Sequence, residues 1–226
     1  IGRSRVASGR IIAVERPVAD VTTVRCRLEQ GWRGHRPGQF AFVTFDDKEG
    51  AHPFTIASSD QGDRTISFQI KALGDYTSQL GARLQAGQAV RVEGPYGRFD
   101  IARCNRGARQ IWIAGGIGVT PFLAWLESLQ GSPDQVPAAD LHYCTRDRDT
   151  DAFVPRLEKL CANLPGIALH IHGARQGALL KAEALGAPRH AEIWFCGPSG
   201  LADALRQGIH AMGWRPRFHQ EAFEMR

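Results

Sequence analysis

The first hundred residues alternate apolar and polar positions with a period of two, which is typical of β-strands. The clearest run is TISFQIKA, in which Ile66, Phe68 and Ile70 point to one side and the intervening residues to the other. The runs VTTVRCRL, QFAFVTF and QAVRVEG repeat this pattern between turn-forming sequences such as RPGQ and SDQGD. Six such strands predict a small antiparallel β-barrel, with a short helix at DYTSQLGARL.

From IWIAG onward the pattern changes to buried strands that alternate with amphipathic helices. In FLAWLESLQ, the residues Phe122, Trp125 and Leu129 follow the spacing of one helix face. The strands LHYCT, IALHIHG and EIWFCG alternate with the helical runs FVPRLEKLCANL and LADALRQGIHAM, and a last strand lies near RFHQEAF. This order predicts a doubly wound parallel sheet of the α/β class. We expect two domains, residues 1–102 and 103–226.

Composition narrows the classes of function. The 226 residues are 43 % hydrophobic, enough for a substantial core, and the formal charge of +5 comes from dispersed basic residues. A dispersed charge argues against nucleic-acid binding and is compatible with an acidic protein partner. The longest uncharged run, IWIAGGIGVTPFLAWL, is shorter than the ~20 residues of a membrane-spanning helix. Five cysteines without a CxxC pair indicate a reducing, cytoplasmic location and no metal site.

A glycine-rich turn is the first candidate site. Gly115, Gly116 and Gly118 follow a buried strand, and Thr120 and Pro121 precede a helix as its expected N-cap and first residue. Such a turn presents backbone N–H groups and the positive end of a helix dipole to a pyrophosphate. The alternative is that the glycines serve only to make a tight strand-to-helix turn.

The sequence CGPSG ends a second buried strand in the same manner, so two strand ends open on one crevice. In open α/β sheets, ligands bind at the point where the strand order reverses. Cys196 lies at the tip of that strand, where it either faces the crevice or is an ordinary buried thiol.

Seven motifs in one order give a resemblance to a known family. They are HPFTIASS, GDYTSQL, GPYGRF, GGIGVTPF, YCTRD, FCGPSG and HQEAF. Together they resemble the ferredoxin–NADP reductase superfamily, in which a flavin-binding barrel precedes a nicotinamide-dinucleotide domain. The resemblance covers essentially the whole chain and implies FAD and NADPH or NADH as cofactors. The GPYG segment is interpreted as a structural turn.

The flavin signature of that superfamily, Arg-x-Tyr-Ser/Thr, is replaced here by His52, Pro53, Phe54 and Thr55. This variant is similar to ferric reductases and NADPH oxidases. The resemblance implies that His52 approaches the flavin phosphates, Phe54 packs on the isoalloxazine and the Thr55 hydroxyl reaches its N5 edge. Replacement of Arg by His implies loose FAD binding. The alternative is an edge strand with a buried Phe.

The resemblance extends to the pyrophosphate clamp of the flavin. It implies that Thr77 and Ser78, at a helix N-terminus, bind the FAD phosphates, with Lys71 and Gly74 beside them. The alternatives are an N-capped helix and a solvated lysine.

In the second domain, the resemblance implies that the Gly115–Thr120 turn binds the dinucleotide pyrophosphate. It assigns the nicotinamide pocket to Cys196, Gly197 and Pro198. Arg146 occupies the place that contacts the adenosine ribose, where an arginine can pair with a 2′-phosphate, although Asp147 follows it directly. We therefore expect NADPH to be favoured over NADH.

The ending HQEAFEMR resembles the family terminus, in which an aromatic covers the flavin. Phe223 matches that aromatic and Glu221 the acidic residue near the nicotinamide, although three residues follow Phe223. With Thr55 and Cys196, these are the expected catalytic residues. The structural alternative is an ordinary last strand.

The predicted function is that of a flavin-dependent oxidoreductase that passes a hydride from NAD(P)H to FAD and then single electrons to an acceptor. The HPF variant and the start at Ile1 imply a heme acceptor in an upstream membrane segment, so that this chain is the cytosolic part of an inner-membrane protein. The alternatives are a free-standing ferredoxin or flavodoxin reductase and a non-catalytic flavin-binding regulatory module.

Overall fold

The structure is a computed structural model that describes residues 5–18, 20–72 and 75–221. The chain forms two compact units that divide between Asp100 and Ile101.

The first unit is a six-stranded antiparallel sheet with one helix. The strands run in the order β4-β3-β6-β1-β2-β5, and Ile56, just after β4, bridges Phe68 of β5. This arrangement confirms the predicted antiparallel architecture. The elements are β1 (Val6–Val18), β2 (Val21–Leu28), β3 (Phe40–Thr44), β4 (His52–Thr55), β5 (Thr65–Lys71), α1 (Asp75–Arg83) and β6 (Ala89–Tyr96).

The core of this unit follows from the period of two. Ile66, Phe68 and Ile70 are each at most 1 % exposed, as the alternation in β5 predicts. Phe68 lies 6.2 Å, centroid to centroid, from Phe54, which in turn lies 6.0 Å from Phe45. Burial of a side chain of this size stabilises the folded state by roughly 1.5–3 kcal/mol.

The second unit is a parallel sheet with helices. Its strands run in the order β11-β10-β7-β8-β9, which confirms the predicted doubly wound sheet. Short 3₁₀ helices occupy Ile101–Arg103, Gly116–Val119, Pro133–Gln135 and Ala182–Leu185. The remaining elements are β7 (Arg109–Gly115), α2 (Thr120–Gln130), β8 (Ala139–Thr145), α3 (Phe153–Ala162), β9 (Ile167–Gly173), β10 (Ala191–Cys196), α4 (Ser199–Ala211) and β11 (Arg217–Glu221).

Aromatic side chains fill one face of this sheet. Trp125 of α2 packs edge-on against Trp112 of β7 and Trp194 of β10, with ring centroids 5.1 and 5.3 Å apart. The other face buries Ile193 and neighbouring apolar residues in a cluster with Leu205 of α4. The chain proceeds from β7 to β9 in one direction and then returns to β10 on the far side of β7. The strand order therefore reverses between β7 and β10, where a ligand crevice is expected.

A buried carboxylate joins three neighbouring strands of this sheet through hydrogen bonds. Glu192, 1 % exposed, accepts hydrogen bonds from the Asn105 backbone N–H (2.6 Å), Gln110 Nε2 (3.2 Å) and His219 Nε2 (2.8 Å). Burial raises the pKa of the Glu192 carboxyl, but these hydrogen bonds and the charge of His219 outweigh burial, so that the pKa is lower than that of an isolated carboxyl. The network fixes β11 against β10, and β11 carries Glu221 at its end.

Candidate cofactor sites

The glycine-rich turn lies at the carboxyl end of β7 and continues directly into α2. Gly116 has φ of +54°, and a Cβ placed on it would meet no atom within 4 Å. Gly118 is different, because a Cβ there would lie 2.2 Å from the Cys196 carbonyl oxygen. Gly116 thus leaves an open backbone surface, whereas Gly118 allows the turn to pack against the end of β10.

The CGPSG turn is the other half of this contact. A Cβ on Gly115 would lie 2.6 Å from Pro198 Cδ, and one on Gly197 would lie 2.9 Å from the Gly115 nitrogen. The two glycine turns therefore touch through bare backbone at the point where the strand order reverses. Helix α4 begins directly after Pro198, so the N-termini of two helices face this crevice.

The residues that start α2 differ from the expectation by one position. Thr120 is the first residue of the helix rather than its N-cap, which is Val119, and Pro121 is the second. The Thr120 hydroxyl donates a hydrogen bond to the Ile117 carbonyl at 3.0 Å, and the residue is 3 % exposed. The 3₁₀ turn and the helix are continuous. Because the Thr120 hydroxyl already donates to this carbonyl, the groups of the turn that can bind a phosphate are its backbone N–H groups.

Cys196 and Glu221 are neighbours at the carboxyl ends of β10 and β11. Burial raises the pKa of the Glu221 carboxyl to about 8, and its Oε2 has no hydrogen-bond partner within the described part of the chain. Burial also raises the pKa of the Cys196 thiol, with a smaller contribution from Glu221. Near neutral pH, the pair is an uncharged thiol beside a protonated carboxyl. Phe223 lies outside the described residues.

A charged corner, defined by residues 146–149 and 174–176, joins the ends of β8 and β9. Arg146 is exposed, and its carbonyl accepts the Arg175 backbone N–H at 2.9 Å. Asp147 accepts hydrogen bonds from Gln176 Nε2 (2.9 Å) and Arg175 Nη1 (3.0 Å), which lower its pKa. Arg175 and Gln176 were not among the predicted site residues, although the segment HGARQG at the end of a predicted strand was a usable signal.

In the first unit, the structure places Phe54 in the core of the sheet. Phe54 is 4 % exposed and lies in register with Ala41, and both belong to the core. The contact of its ring with a flavin stays a prediction. His52 is half-buried, and its Nε2 donates a hydrogen bond to the Glu49 carbonyl at 3.2 Å.

Thr55 lies on the opposite face of β4 and stays a candidate. It is half-buried and in register with Phe40 of β3, which is in register with Tyr96 of β6. Pro53 lies on the same face, opposite Phe42. The three aromatic residues were not among the predicted site residues, because only strand pairing brings them beside Thr55.

The proposed phosphate clamp is described in part. Lys71 Nζ lies 3.8 Å from Asp20 Oδ2, and Thr77 is 7 % exposed within α1. Ser78 belongs to α1, but its side chain and the whole of Gly74 lie outside the described residues. The clamp stays a prediction.

The residues present fit both cofactors. The outer face of β3 and β4 combines flat aromatic rings with a hydroxyl, as a flavin requires, and the open backbone at Gly116 fits a pyrophosphate. Within the described ranges, no group of three or more His, Cys, Asp and Glu is arranged to hold a metal ion. No described helix is both long and apolar enough to cross a membrane.

Comparison with known proteins supports FAD and a nicotinamide dinucleotide as the cofactors. Residues 7–100 match the family of FAD-binding domains. The chain is 31 % identical over 163 residues to the vanillate O-demethylase oxidoreductase of Pseudomonas putida, covering 69 % of this chain and 50 % of the relative. It is 27 % identical over 169 residues to the ferredoxin–NAD(P)⁺ reductase component of a naphthalene 1,2-dioxygenase system from Pseudomonas putida, covering 74 % and 50 %. The chain therefore spans about half the length of these curated relatives.

A solved structure shows the same fold. The ferredoxin NADP⁺ reductase of Neisseria gonorrhoeae, determined with bound FAD and NADP, superimposes with a TM-score of 0.78 at 16 % sequence identity. The match covers 96 % of this chain and 99 % of that protein.

Proposed function

Because the chain belongs to the ferredoxin–NADP reductase superfamily, we propose that it is an FAD-dependent oxidoreductase that passes electrons from NADPH or NADH to a one-electron acceptor. When bound, FAD supplies the chemistry that accepts a hydride and gives up electrons one at a time. The observation that carries the proposal is the FAD-binding family match over residues 7–100, followed by a parallel sheet with two glycine-rich turns in contact at its switch point. We assign FAD to residues 1–102 and the dinucleotide to residues 103–226.

Each candidate residue has a distinct task in this proposal. The turn at Gly116 binds the dinucleotide pyrophosphate through backbone N–H groups and the helix dipole. The Thr55 hydroxyl hydrogen-bonds the flavin edge, and it can donate or accept as the protonation of the ring changes. Glu221 holds a proton beside Cys196 and keeps the nicotinamide pocket uncharged near neutral pH, while Phe223 covers the flavin.

We propose that NADPH is preferred over NADH. The charge of Asp147 is balanced by Arg175, which leaves Arg146 to pair with a 2′-phosphate. Truncation of Arg146 to Ala is expected to raise KM for NADPH several-fold and to change KM for NADH little. Equal changes for the two coenzymes would show that Arg146 does not contact the phosphate.

The acceptor is proposed to be an iron–sulfur protein or an oxygenase component. The names of the similar proteins, a demethylase oxidoreductase and a ferredoxin reductase component of a dioxygenase system, support this acceptor class. A heme domain in a membrane, with this chain on its cytoplasmic side, is the second candidate and is supported by the His52-Pro53-Phe54 variant.

Anaerobic reduction of the FAD-loaded protein tests the proposal. NADPH and NADH are mixed separately with the protein, and loss of the oxidised flavin absorbance is followed by stopped flow. Rapid bleaching by either coenzyme is expected. If FAD binds and neither coenzyme bleaches it, the regulatory-module alternative replaces the enzyme.

A second measurement separates the acceptors. The NADPH-reduced protein is mixed with a [2Fe–2S] ferredoxin or with a b-type cytochrome at equal concentration. Faster oxidation by the ferredoxin is expected, whereas clearly faster oxidation by the cytochrome would favour the heme acceptor.

A further inference from the structure

Four arginines gather at the amino-terminal edge of the second sheet. Arg106 lies shortly before β7, Arg189 shortly before β10, Arg215 shortly before β11, and Arg217 is the first residue of β11. All four are exposed, and the three strands are neighbours in the order β11-β10-β7. Because parallel strands begin at the same edge of a sheet, three separate segments of the sequence contribute to one surface. We call these four residues the arginine edge.

Hydrogen bonds fix the loops that carry these arginines. The Arg109 backbone N–H donates to the His190 carbonyl at 2.8 Å, which holds the start of β7 against the segment before β10. Trp214, 8 % exposed, donates its Nε1–H to the Pro188 carbonyl at 3.0 Å. Arg215 Nη1 donates to the Trp214 carbonyl, also at 3.0 Å. The loops therefore hold one arrangement, so that less conformational freedom is lost when a partner binds to them.

The positive charge of the arginine edge is not balanced by nearby carboxylates. None of its four guanidinium groups forms an ion pair within the part of the chain that the structure describes, whereas the neighbouring Arg109 pairs with Asp140. Glu192 is buried at this edge and already accepts the hydrogen bond of His219. Asp134 lies in the loop before β8, on the other side of β7 from β10. A fixed cluster of like charges attracts an anionic partner.

The arginine edge lies at the opposite end of the sheet from the two glycine turns. Those turns follow the carboxyl ends of β7 and β10. The 6 residues of β10 span roughly 20 Å at ~3.3 Å per residue, which is the length of strand between the two edges. A dinucleotide held at the Gly116 turn lies along the carboxyl edge, so the arginine edge requires a different occupant.

The chemistry of this surface favours a protein partner over a lipid bilayer. Proteins that lie on a bilayer insert aromatic or other apolar side chains beside their basic residues. Among the described residues of these loops, the one aromatic ring, that of Trp214, is buried, and the one exposed large apolar side chain is Met212 at 38 %. Guanidinium groups pair with carboxylates through two parallel hydrogen bonds. Adjacent strands are ~4.8 Å apart, a spacing that suits the side chains of a single acidic segment.

We propose that the arginine edge is a docking surface for an acidic segment, rich in Asp and Glu, of a partner protein. The segment binds through charge-assisted hydrogen bonds to the four guanidinium groups. Because the surface is remote from the glycine turns, the docked partner leaves the coenzyme site open. The inference goes beyond the proposed function and does not depend on it.

Fluorescence anisotropy with a short labelled peptide that alternates Glu with Ser tests this surface at low salt. The wild-type protein is expected to bind this peptide and not the peptide in which Gln replaces every Glu. The triple variant Arg189→Gln, Arg215→Gln and Arg217→Gln removes three charges of the arginine edge. Roughly tenfold weaker binding of the acidic peptide is expected, because each surface charge pair contributes modestly.

The matched control is the triple variant Arg25→Gln, Arg27→Gln and Arg33→Gln. It removes the same number of charges from exposed arginines of the first unit, and peptide affinity should change less than about twofold. The unfolding midpoint of each protein verifies folding. If the arginine-edge variant does not fold, the double variant Arg106→Gln and Arg189→Gln replaces it.

Four outcomes would overturn the docking surface. Equal losses in the two triple variants would show attraction by net charge alone, and no binding by the wild type would leave the surface without this ligand class. Competition between the peptide and saturating NADPH would place the peptide in the coenzyme site. Vesicles of phosphatidylglycerol and phosphatidylcholine are the competing probe. If they bind more tightly than the peptide and the arginine-edge variant loses this binding, the surface belongs to a membrane contact instead.

Discussion

Gly116 and Gly118 lie in the same turn but are glycines for opposite reasons. Gly116 has a positive φ and open space around it, whereas Gly118 has no room for a side chain. A side chain at Gly118 would overlap the backbone of Cys196, at 2.2 Å from its carbonyl oxygen and 2.5 Å from its carbonyl carbon. We expect Gly118→Ala to cost roughly 2–3 kcal/mol of unfolding free energy, because backbone atoms cannot move aside as a flexible side chain would. Urea unfolding at neutral pH measures this cost.

Gly200 provides the control for that substitution. It lies in α4, and a Cβ there would meet nothing within 4 Å. Gly200→Ala should therefore leave stability unchanged or raise it by up to about 1 kcal/mol, since alanine is the better helix former. Equal losses at both positions would contradict the contact between the two glycine turns.

Glu221 gives a prediction about pH. Its carboxyl has a pKa of about 8 in the folded protein, against 4.5 for the ordinary group, so the folded state holds the proton more tightly than the unfolded state. The carboxyl therefore destabilises the fold increasingly as the pH rises from about 4.5 to about 8. Glu221→Gln, which stays uncharged, should gain stability relative to the wild type over this interval.

Urea unfolding of both proteins at pH 5 and pH 8 measures that gain. The same change at Glu183, an exposed glutamate, serves as the control and should give no pH-dependent difference. A constant difference between wild type and Glu221→Gln at the two pH values would show that Glu221 is ionised in the folded protein.

For single residues, the sequence predicted the strand and turn motifs, but it did not predict which face of a strand each side chain occupies. The face on which Phe54 lies depends on the pairing of β4 with β3, and the HPFT letters do not contain that register. Thr120 was misplaced by one position because the 3₁₀ turn merges into α2 without a polar cap.

At the scale of elements, β8 and β9 carry three histidines on one face of the second sheet. The His142 ring stacks on those of His170 and His172, with centroids 4.6 and 5.3 Å away, and His142 Nδ1 lies 3.0 Å from His172 Nε2. The other polar groups at this edge are Asp140, which pairs with His170 and with Arg109, and the Cys144 thiol. Burial, with smaller contributions from the neighbouring His170 and His172, lowers the pKa of His142 to about 4.

The stacked rings of His142, His170 and His172 predict that the folded protein loses stability in acid. The unfolded chain takes up protons near pH 6.5, whereas folded His142 resists protonation down to about pH 4, so stability is full above pH 6.5 and falls between these values. His142→Phe should flatten that part of the profile, which chemical unfolding between pH 7 and pH 4.5 measures. His210→Phe, on the exposed side of α4, is the control and should leave the slope unchanged.

The elements themselves followed closely from the sequence. Strand β9 spans the residues of the predicted run IALHIHG, and α1 ends one residue before the predicted helix, because period and turn residues are local properties. The pairing order of the strands is not local, and it is this order that brings the two glycine turns together.

For the whole molecule, the formal charge of +5 affects how the reduced protein meets its electron acceptor. If the acceptor is an acidic iron–sulfur protein, long-range attraction raises its rate of encounter and salt weakens that attraction. We expect kcat/KM for such an acceptor to fall several-fold between roughly 20 and 200 mM NaCl. The rate of flavin reduction at saturating NADPH should stay nearly constant over this range and is the internal control. Equal salt dependence of both rates would contradict electrostatic docking.

The bare-backbone contact between the turns at Gly115–Gly118 and Cys196–Pro198 also matters for protein engineering. The backbone of each turn packs directly against that of the other. Neither turn can therefore be exchanged alone for a homologous segment with a different backbone path. To change the coenzyme preference, both turns should be replaced together. Alternatively, both turns are kept and the loops at residues 146–149 and 174–176 are altered. The first strategy replaces the backbone that contacts the pyrophosphate, whereas the second changes only the loops around the adenosine ribose.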